Sequence, residues 1–271
     1  MIEYDDSLSL DNLLALGKEG GYISNQYYHS LPGLSGSALT ILEESCQHYE
    51  NMHMFSMGDQ LHFALGSCTH ELVLEPHMNS YCVMPNFDGR TNAGKADKAN
   101  WIAANADKIA IPSEDYDKAK RMSENVLAIC GDIIKGSVCE RSLFVEYLPG
   151  IILKARIDAQ HCADDYDLKT ITPKNGMDEW ELKRHSEKFG YYKSAALRNI
   201  VREALGMPIR DSYLIFVSTS PGHMVKVRKI PHIEIDMAHL HVLDLIKTWS
   251  DYIEYGIDTP PKELINTLQG V

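Results

Sequence analysis

Residues 151–171 read IILKARIDAQHCADDYDLKTI. Three of the charged residues in this segment, Asp158, Asp167 and Lys169, have types and a spacing that could form one catalytic site. The first β-type run, Ile151–Ile157, ends at Asp158, and the second run begins at Asp167 and carries Lys169 two positions later. Residues i and i+2 of a strand point to the same face, so Asp167 and Lys169 share a face. A hairpin between the two runs would bring Asp158 to the same place.

Two carboxylates beside an ammonium group favour one kind of chemistry. Carboxylate oxygens suit Mg²⁺, which keeps several of its waters and engages substrate phosphates. The metal would orient a water for attack on a phosphodiester, and Lys169 would lower the pKa of that water or stabilise the developing charge. A solvated hairpin edge with alternating charges is the competing interpretation, because Asp-x-Lys triplets are common.

The segments around this hairpin must supply the framework that positions it. Strands are predicted at 81–84, 109–111, 143–147, 212–218 and 224–230, in addition to the two runs above. Helices are predicted at 8–17, from Ser35 or Ser37 to about His48, at 59–74, 95–106, 113–134, 178–206 with a break near Gly190, and 236–255. This order predicts an α/β (α+β) fold with a mixed central β-sheet flanked by helices, in a single domain over residues 1–271.

Several shorter patterns allow two interpretations each. The helix start at Ser35–Ser37 offers hydroxyls and free N–H groups to a phosphate, although the sequence alone favours plain capping. His70, on the predicted helix 59–74, is by itself more typical of a packed or surface histidine than of a ligand. The loop QHCADDY at 160–166 offers too few ligands for zinc and is predicted to be exposed.

Residues 89–96, GRTNAGKA, nearly match the phosphate-binding loop G-x-x-x-x-G-K-[ST]. Ala96 stands where the hydroxyl that holds Mg²⁺ would be, and the preceding PNFD is a poor strand end. An ATP site is therefore not predicted. A basic loop that contacts a nucleic-acid backbone and a solvated helix start are the two alternatives.

Composition bounds the class of protein. The 271 residues are 44% hydrophobic and 24% charged, values that are ordinary for a soluble globular protein. The absence of a long apolar run or a signal-like start predicts a cytoplasmic protein without membrane contact. The six cysteines show no CxxC pair, which argues against a disulfide framework or an iron–sulfur cluster. A net charge of −12 is atypical of a DNA-coating protein, so any DNA channel must be locally basic.

Four separated blocks resemble one nuclease family. They are ISNQYYHSLPGLSGSAL at 23–39, LGSCTHELVLEP at 65–76, RTNAGK at 90–95, and KARID…DLKT at 154–170. Together they are similar to the C-terminal nuclease domain of RecE (exonuclease VIII) and its phage relatives, which carry the PD-(D/E)xK core and are related to lambda exonuclease. Ile157 stands where that core has proline. The near match at 89–96 is then a feature of the family.

The resemblance implies Mg²⁺-dependent, processive 5′→3′ digestion of linear double-stranded DNA that leaves 3′ overhangs for recombination, with Mn²⁺ as a substitute metal. It implies a ring-shaped homo-oligomer, a trimer or tetramer, that acts on DNA ends with a single-strand annealing protein. It also implies a phage or prophage origin and action in the cytoplasm of a bacterial host. The oligomer number, the polarity and the partner do not follow from the residues themselves.

The resemblance also assigns roles to residues by position. His70, Asp158, Asp167 and the backbone carbonyl of Leu168 match metal ligands, Lys169 matches the catalytic lysine, and Glu140 matches a glutamate on the preceding helix that assists a second metal or the water. For the 5′-phosphate of the DNA we expect a pocket at Ser35 and Ser37 with a cation from Arg90, Lys95 or Lys193.

One family element is missing. The Q-x-x-x-Y pair that often follows the core aligns here with Lys193 and Leu197. Three hypotheses therefore stay open: a recombination exonuclease, a different nuclease on the same core (an endonuclease or a single-strand trimming enzyme), and a DNA-binding relative without catalysis.

Overall fold

The computed structural model describes residues 4–51, 60–174 and 176–256. Its helices are α1 (Leu10–Leu16), α2 (Asn25–Ser30), α3 (Gly36–Leu42), α4 (Cys46–Glu50), α5 (Gln60–Leu74), α6 (Asn92–Ala104), α7 (Ser113–Lys135), α8 (Glu179–Lys188), α9 (Tyr191–Ala204) and α10 (His232–Tyr255). Its strands are β1 (Tyr81–Met84), β2 (Ile109–Pro112), β3 (Val138–Leu148), β4 (Ile151–His161), β5 (Asp164–Ile171), β6 (Asp211–Ser218) and β7 (Val225–Lys229).

The main sheet has five strands in the order β3-β4-β5-β6-β7. Only β5 and β6 run parallel, and the other neighbours are antiparallel, so the sheet is mixed as predicted. Helices cover both faces because the central strands are apolar on both sides. Leu214 and Phe216 of β6 join the core formed with α3, α9 and α10, whereas Ile215 and Val217 join the core formed with α5 and α7.

The hairpin of β4 and β5 is longer than the sequence predicted. β4 continues to His161 and β5 already begins at Asp164, so only two residues form the turn. The prediction of an exposed loop at 160–166 is therefore wrong. Asp165 is buried at 1% exposure, because Arg202 of α9 lies against it and compensates its charge.

Several helix predictions need correction in their bounds. The helix predicted at 95–106 spans Asn92–Ala104. The helix that Ser35 caps ends at Leu42, not near His48, and Ser45 caps the separate helix α4. The last helix begins at His232, four residues earlier than predicted, directly after Pro231. The predicted break near Gly190 is confirmed: α8 ends at Lys188, and Gly190 has a φ of 67°, a left-handed conformation that glycine adopts without strain.

The near match to a phosphate-binding loop forms a turn and the start of α6. Thr91 caps this helix by accepting the N–H of Gly94. A side chain at Gly94 would lie 2.2 Å from the backbone oxygen of Asp88, so only glycine fits this close approach. α6 connects β1 and β2, which pair in parallel as a separate two-stranded sheet.

None of the helices in the described ranges combines the length and apolar character that crossing a bilayer requires.

Candidate active site

The candidate site lies where β4 and β5 separate. Their pairing runs through Ala159 and Tyr166 and then stops, so Asp158 and Asp167 occupy the next position on each side. There the Asp158 side chain replaces the missing backbone contact, because its Oδ2 accepts the N–H of Leu168 at 2.9 Å. The predicted approach of Asp158 to the second strand is thereby confirmed.

Lys169 lies between the two aspartates. Its Nζ is 3.6 Å from Asp158 Oδ2 and 3.8 Å from Asp167 Oδ2, and it lies over the ring of Tyr191 at 5.5 Å from the ring centroid. Burial alone would lower the pKa of Lys169, but the charges of the two aspartates outweigh burial and raise that pKa. Lys169 is therefore an ammonium ion at neutral pH, suited to stabilise negative charge and unsuited to accept a proton.

The pKa of Asp158 moves in the opposite direction. Burial would raise it, but the charges of Lys169 and His70 and the hydrogen bonds from His70 and Leu168 lower it below its usual range. Asp158 is therefore a carboxylate at neutral pH, which is the form that a metal requires.

Two arginines on α9 hold aspartates of β5. Arg198 Nη1 donates to Asp167 Oδ2 at 2.8 Å, and Arg202 donates to both oxygens of Asp165. The spacing explains the match, since two residues of a strand and four residues of a helix both advance about 6 to 7 Å. The sequence signal was available: two arginines four apart on a helix that follows two aspartates two apart on a strand.

His70 is the link between α5 and the hairpin. Its Nε2 lies 3.1 Å from Asp158 Oδ2 and its Nδ1 lies 3.6 Å from Glu140 Oε1. Burial lowers the pKa of His70, but the charges of Asp158 and Glu140 outweigh burial and raise that pKa to about 9. The interpretation of an isolated packed histidine does not hold, because this imidazole faces two carboxylates.

Glu140 is not on a helix, as the resemblance implied, but on strand β3. It stands across from Asp158 between the paired positions 139–159 and 141–157, with a φ of 58°. Burial raises the pKa of Glu140 to about 7, and Arg156, whose Nε donates to Glu140 Oε2, opposes this shift. The sequence does not show whether Glu140 ends the preceding helix or begins the next strand, because it follows the helix stop at Gly136 by only a few residues.

Alternate residues of β4 explain the block KARID. Lys154, Arg156 and Asp158 lie two apart and so share one face. Lys154 Nζ donates to the backbone oxygen of Tyr28 at 2.9 Å, and Arg156 Nη1 donates to that of Ile23 at 2.7 Å. The first two residues therefore fix the N-terminal block at 23–39 across the sheet, and the third faces the candidate site.

The donor set fits a divalent cation. One oxygen or nitrogen atom of each of His70, Glu75 and Glu140 lies within 4.8 Å of the others, and Asp158 contacts the same imidazole. Glu140 Oε1 is buried without a hydrogen-bond partner among the described residues, which is costly for a carboxylate oxygen unless a cation or a protonated ring nitrogen faces it. Carboxylate and imidazole groups are ordinary ligands of divalent cations.

The residues expected to bind the 5′-phosphate fall in three places. Ser35 is 7% exposed and caps α3 through the N–H of Ala38, whereas Ser37 is exposed. Lys193 is ion-paired with Glu43, and Arg90 and Lys95 are exposed at the start of α6. Leu197, the second residue in place of the family Q-x-x-x-Y pair, is 1% exposed in the core.

Sequence reasoning missed several residues of the site. Tyr191 was not noticed because an aromatic residue at a helix start carries no special signal. Glu75 lies inside the quoted block LVLEP, and its Oε1 accepts the hydroxyl of Tyr4 and lies 3.8 Å from Arg156. The two contacts of Glu75 join positions more than 60 residues apart, and no local pattern predicts them.

Comparisons with known proteins identify the fold. No family model matches the sequence, and a search of curated proteins finds no similar one. The structure is similar to a crystal structure of a protein from Eubacterium rectale described as "Putative exonuclease", with a TM-score of 0.56 and 11% identity over 84% of this chain and 88% of that chain. At that identity the likeness shows the fold alone. It confirms the predicted α/β architecture, a mixed sheet flanked by helices.

A second solved structure, of a protein named SSO0001, aligns with 70% of this chain and 88% of that chain at 13% identity and a TM-score of 0.28, and nothing is inferred from it.

Proposed function

We propose that this chain is a divalent-metal-dependent exonuclease that digests linear double-stranded DNA from the 5′ end and leaves 3′ single-stranded overhangs. The observation that carries the proposal is the meeting of His70, Asp158 and Lys169 at the point where β4 and β5 separate. A solvated hairpin edge would leave these side chains apart and largely exposed. Instead Asp158 is 13% and Lys169 25% exposed.

The residues have distinct tasks in the proposed reaction. His70, Asp158, Asp167 and the Leu168 carbonyl would hold Mg²⁺ or Mn²⁺, which when bound acts as a Lewis acid on the phosphate and lowers the pKa of a bound water. Lys169 stabilises the negative charge that develops on the phosphorus oxygens. Arg198 positions Asp167 by its hydrogen bond and prevents that carboxylate from turning towards Lys169 alone.

The preference for a free end comes from the resemblance at 23–39, 65–76, 90–95 and 154–170, and the neighbour described as a putative exonuclease is consistent with it. The same resemblance suggests a ring-shaped homo-oligomer around the duplex and a single-strand annealing protein as partner. A net charge of −12 then requires the DNA channel to be a small, locally basic part of an acidic surface.

The function is tested with end-labelled linear duplex and a closed circle, each incubated with Mg²⁺. We expect digestion of the linear DNA alone, and loss of that digestion in Lys169→Met. Lys226→Met is the matched control, since Lys226 is an exposed lysine on β7 of the same sheet. Cleavage of the circle would favour an endonuclease instead. Binding of DNA without cleavage by the wild-type protein would favour a DNA-binding relative without catalysis.

A further inference from the structure

Glu140 has an unusual combination of properties. It is 2% exposed, its Oε2 accepts a hydrogen bond from Arg156, and its Oε1 has no hydrogen-bond partner among the described residues. Its φ of 58° is a backbone conformation that is strained for a non-glycine residue and persists only where neighbours enforce it. The orphaned oxygen faces His70 Nδ1 at 3.6 Å, slightly longer than a hydrogen bond.

Neighbours fix this carboxylate firmly in place. Arg156 Nη1 donates to the backbone oxygen of Ile23, and the guanidinium lies about 6 Å from the ring centres of Tyr4 and Tyr28. Glu140 is therefore held from one side by an immobilised arginine. Its other oxygen, Oε1, faces the ring of His70.

Two arrangements would satisfy that oxygen. In one, a metal ion lies between His70 Nδ1, Glu75 and Glu140. In the other, Glu140 accepts the Nδ1 proton of His70, so that Nε2, on the side of Asp158, is left for the metal. The guanidinium of Arg156 contacts Glu140 and lies 3.8 Å from Glu75, and this fixed positive charge opposes a cation between the two glutamates. The second arrangement is favoured.

We propose that Glu140, held by Arg156, is the positioning residue of His70: it keeps the proton on Nδ1 and turns Nε2 towards the metal beside Asp158. This inference rests on the proposed function, because it assumes a metal at the site. Histidine ligands of metals commonly donate their second ring N–H to a carboxylate, which orients the ring and raises the basicity of the ligating nitrogen. It differs from the role that the resemblance gives Glu140, which is contact with a second metal or the water.

The first test uses the wild-type protein and long-range ¹H–¹⁵N NMR correlations of the His70 ring with Mg²⁺ added. We expect Nδ1 to keep its proton and Nε2 to be unprotonated. Loss of the Nδ1 proton on addition of Mg²⁺ would overturn the inference and favour direct metal binding by His70, Glu75 and Glu140. This test needs no variant, so it stands even if substitutions at Glu140 impair folding.

The second test measures Mn²⁺ affinity by electron paramagnetic resonance in Glu140→Gln. We expect binding about 10- to 100-fold weaker than in the wild type, as for other carboxylates behind a histidine ligand. Glu146→Gln is the control, because Glu146 is an exposed glutamate on the same strand. Equal affinity in Glu140→Gln would overturn this inference alone. Absence of Mn²⁺ binding by the wild-type protein would overturn the proposed function and this inference together.

Discussion

Two aspartates of one strand pair with two arginines of one helix, yet their surroundings differ. Arg202 contacts both oxygens of Asp165, and the two residues are 0% and 1% exposed. Asp167 is two residues further along β5 and lies beside the opening between β4 and β5. Its Oδ2 is close to both Arg198 and Lys169. Arg198 Nε also lies 3.9 Å from Asp165 Oδ2, but Asp165 and Arg202 are enclosed in the core, whereas Asp167 faces the site.

The difference teaches how the fold separates stability from chemistry. A buried ion pair whose charges fully compensate each other contributes little net energy, but removing one partner leaves an uncompensated charge in the core. At Asp167 both cations approach the same oxygen, Oδ2, so Oδ1 is the oxygen that we expect a metal to contact. The same residue types at the same spacing therefore hold the helix at one position and offer a ligand at the next.

The largest effect is expected for Asp167→Asn. Activity on linear duplex should fall about a thousandfold or more, since loss of a metal ligand removes several kcal/mol of transition-state stabilisation. The asparagine oxygen can still accept from Arg198, so the urea midpoint should change little. Rates on end-labelled DNA beside an unfolding curve measure both. Normal turnover in this variant would contradict the assignment of Asp167 as a metal ligand.

Asp167→Ala should behave differently from Asp167→Asn. Because Arg198 and Asp167 are both buried, alanine would leave the guanidinium without its closest partner. We therefore expect Asp167→Ala to lose stability in the urea titration in addition to losing activity.

Next in size is Arg202→Met, which removes the closest counter-charge of the buried Asp165 and leaves it with Arg198, whose Nε lies 3.9 Å from Asp165 Oδ2. The free energy of unfolding should drop by about 3–5 kcal/mol, while the rate per folded molecule stays unchanged. The double variant Asp165→Leu with Arg202→Met should recover most of the loss, because no lone charge remains. Urea titrations of the three proteins decide this, and an equal loss in single and double variants would contradict it.

A smaller effect is expected at the 5′ end of the DNA. We expect 5′-phosphorylated duplex to be digested several-fold faster than 5′-hydroxyl duplex, with the preference reduced in Ser37→Ala and at higher salt. Ser35→Ala should instead cost about 1 kcal/mol of stability, because Ser35 caps α3. Lys193→Ala should leave the preference intact, since Glu43 already holds that ammonium. Equal rates on both ends at low salt would refute the phosphate pocket.

The smallest effect concerns the ion pair of Glu43 and Lys193, which is more exposed than the two aspartate–arginine pairs. Hydrogen bonding from His241 lowers the pKa of Glu43 to about 2, although burial opposes the shift and Lys193 assists it. The folded state then binds fewer protons than the unfolded state between pH 4.5 and 2, so the contribution of Glu43 is complete above pH 4.5 and lost as the pH falls through this window. Acid unfolding of Glu43→Gln should show a shallower loss over that range. An identical pH profile would show that this half-exposed pair contributes nothing.

Much of the fold was predictable from sequence because its signals are local. The apolar run of β6, the break at Gly190 and the stop at Gly136 depend on neighbouring residues alone. The bounds of β4 and β5 were not predictable in the same way, since residues 160–166 are polar and Asp165 reads as exposed. Its burial depends on Arg202, 37 positions later.

The residues of the candidate site also divide into those that local patterns predict and those that distant contacts bring into place. Asp158, Asp167 and Lys169 follow from strand periodicity, because two of them are two apart and the third ends the preceding run. His70 is brought to them by the packing of α5, and the composition of α5 does not reveal where its histidine points. Glu140 depends on a single left-handed backbone position in β3, which no side-chain pattern announces.

The hydrogen bonds from β4 to the N-terminal block at 23–39 have a consequence for protein synthesis. Tyr28 leaves the ribosome 126 residues before Lys154, the side chain that holds its backbone. At roughly 5–20 residues per second, the first block waits about 6–25 s for its partner. Arg198, which fixes Asp167, emerges later still. A nascent chain therefore carries no assembled cleft, and the proposed DNA-degrading activity would begin only after most of the polypeptide has been translated.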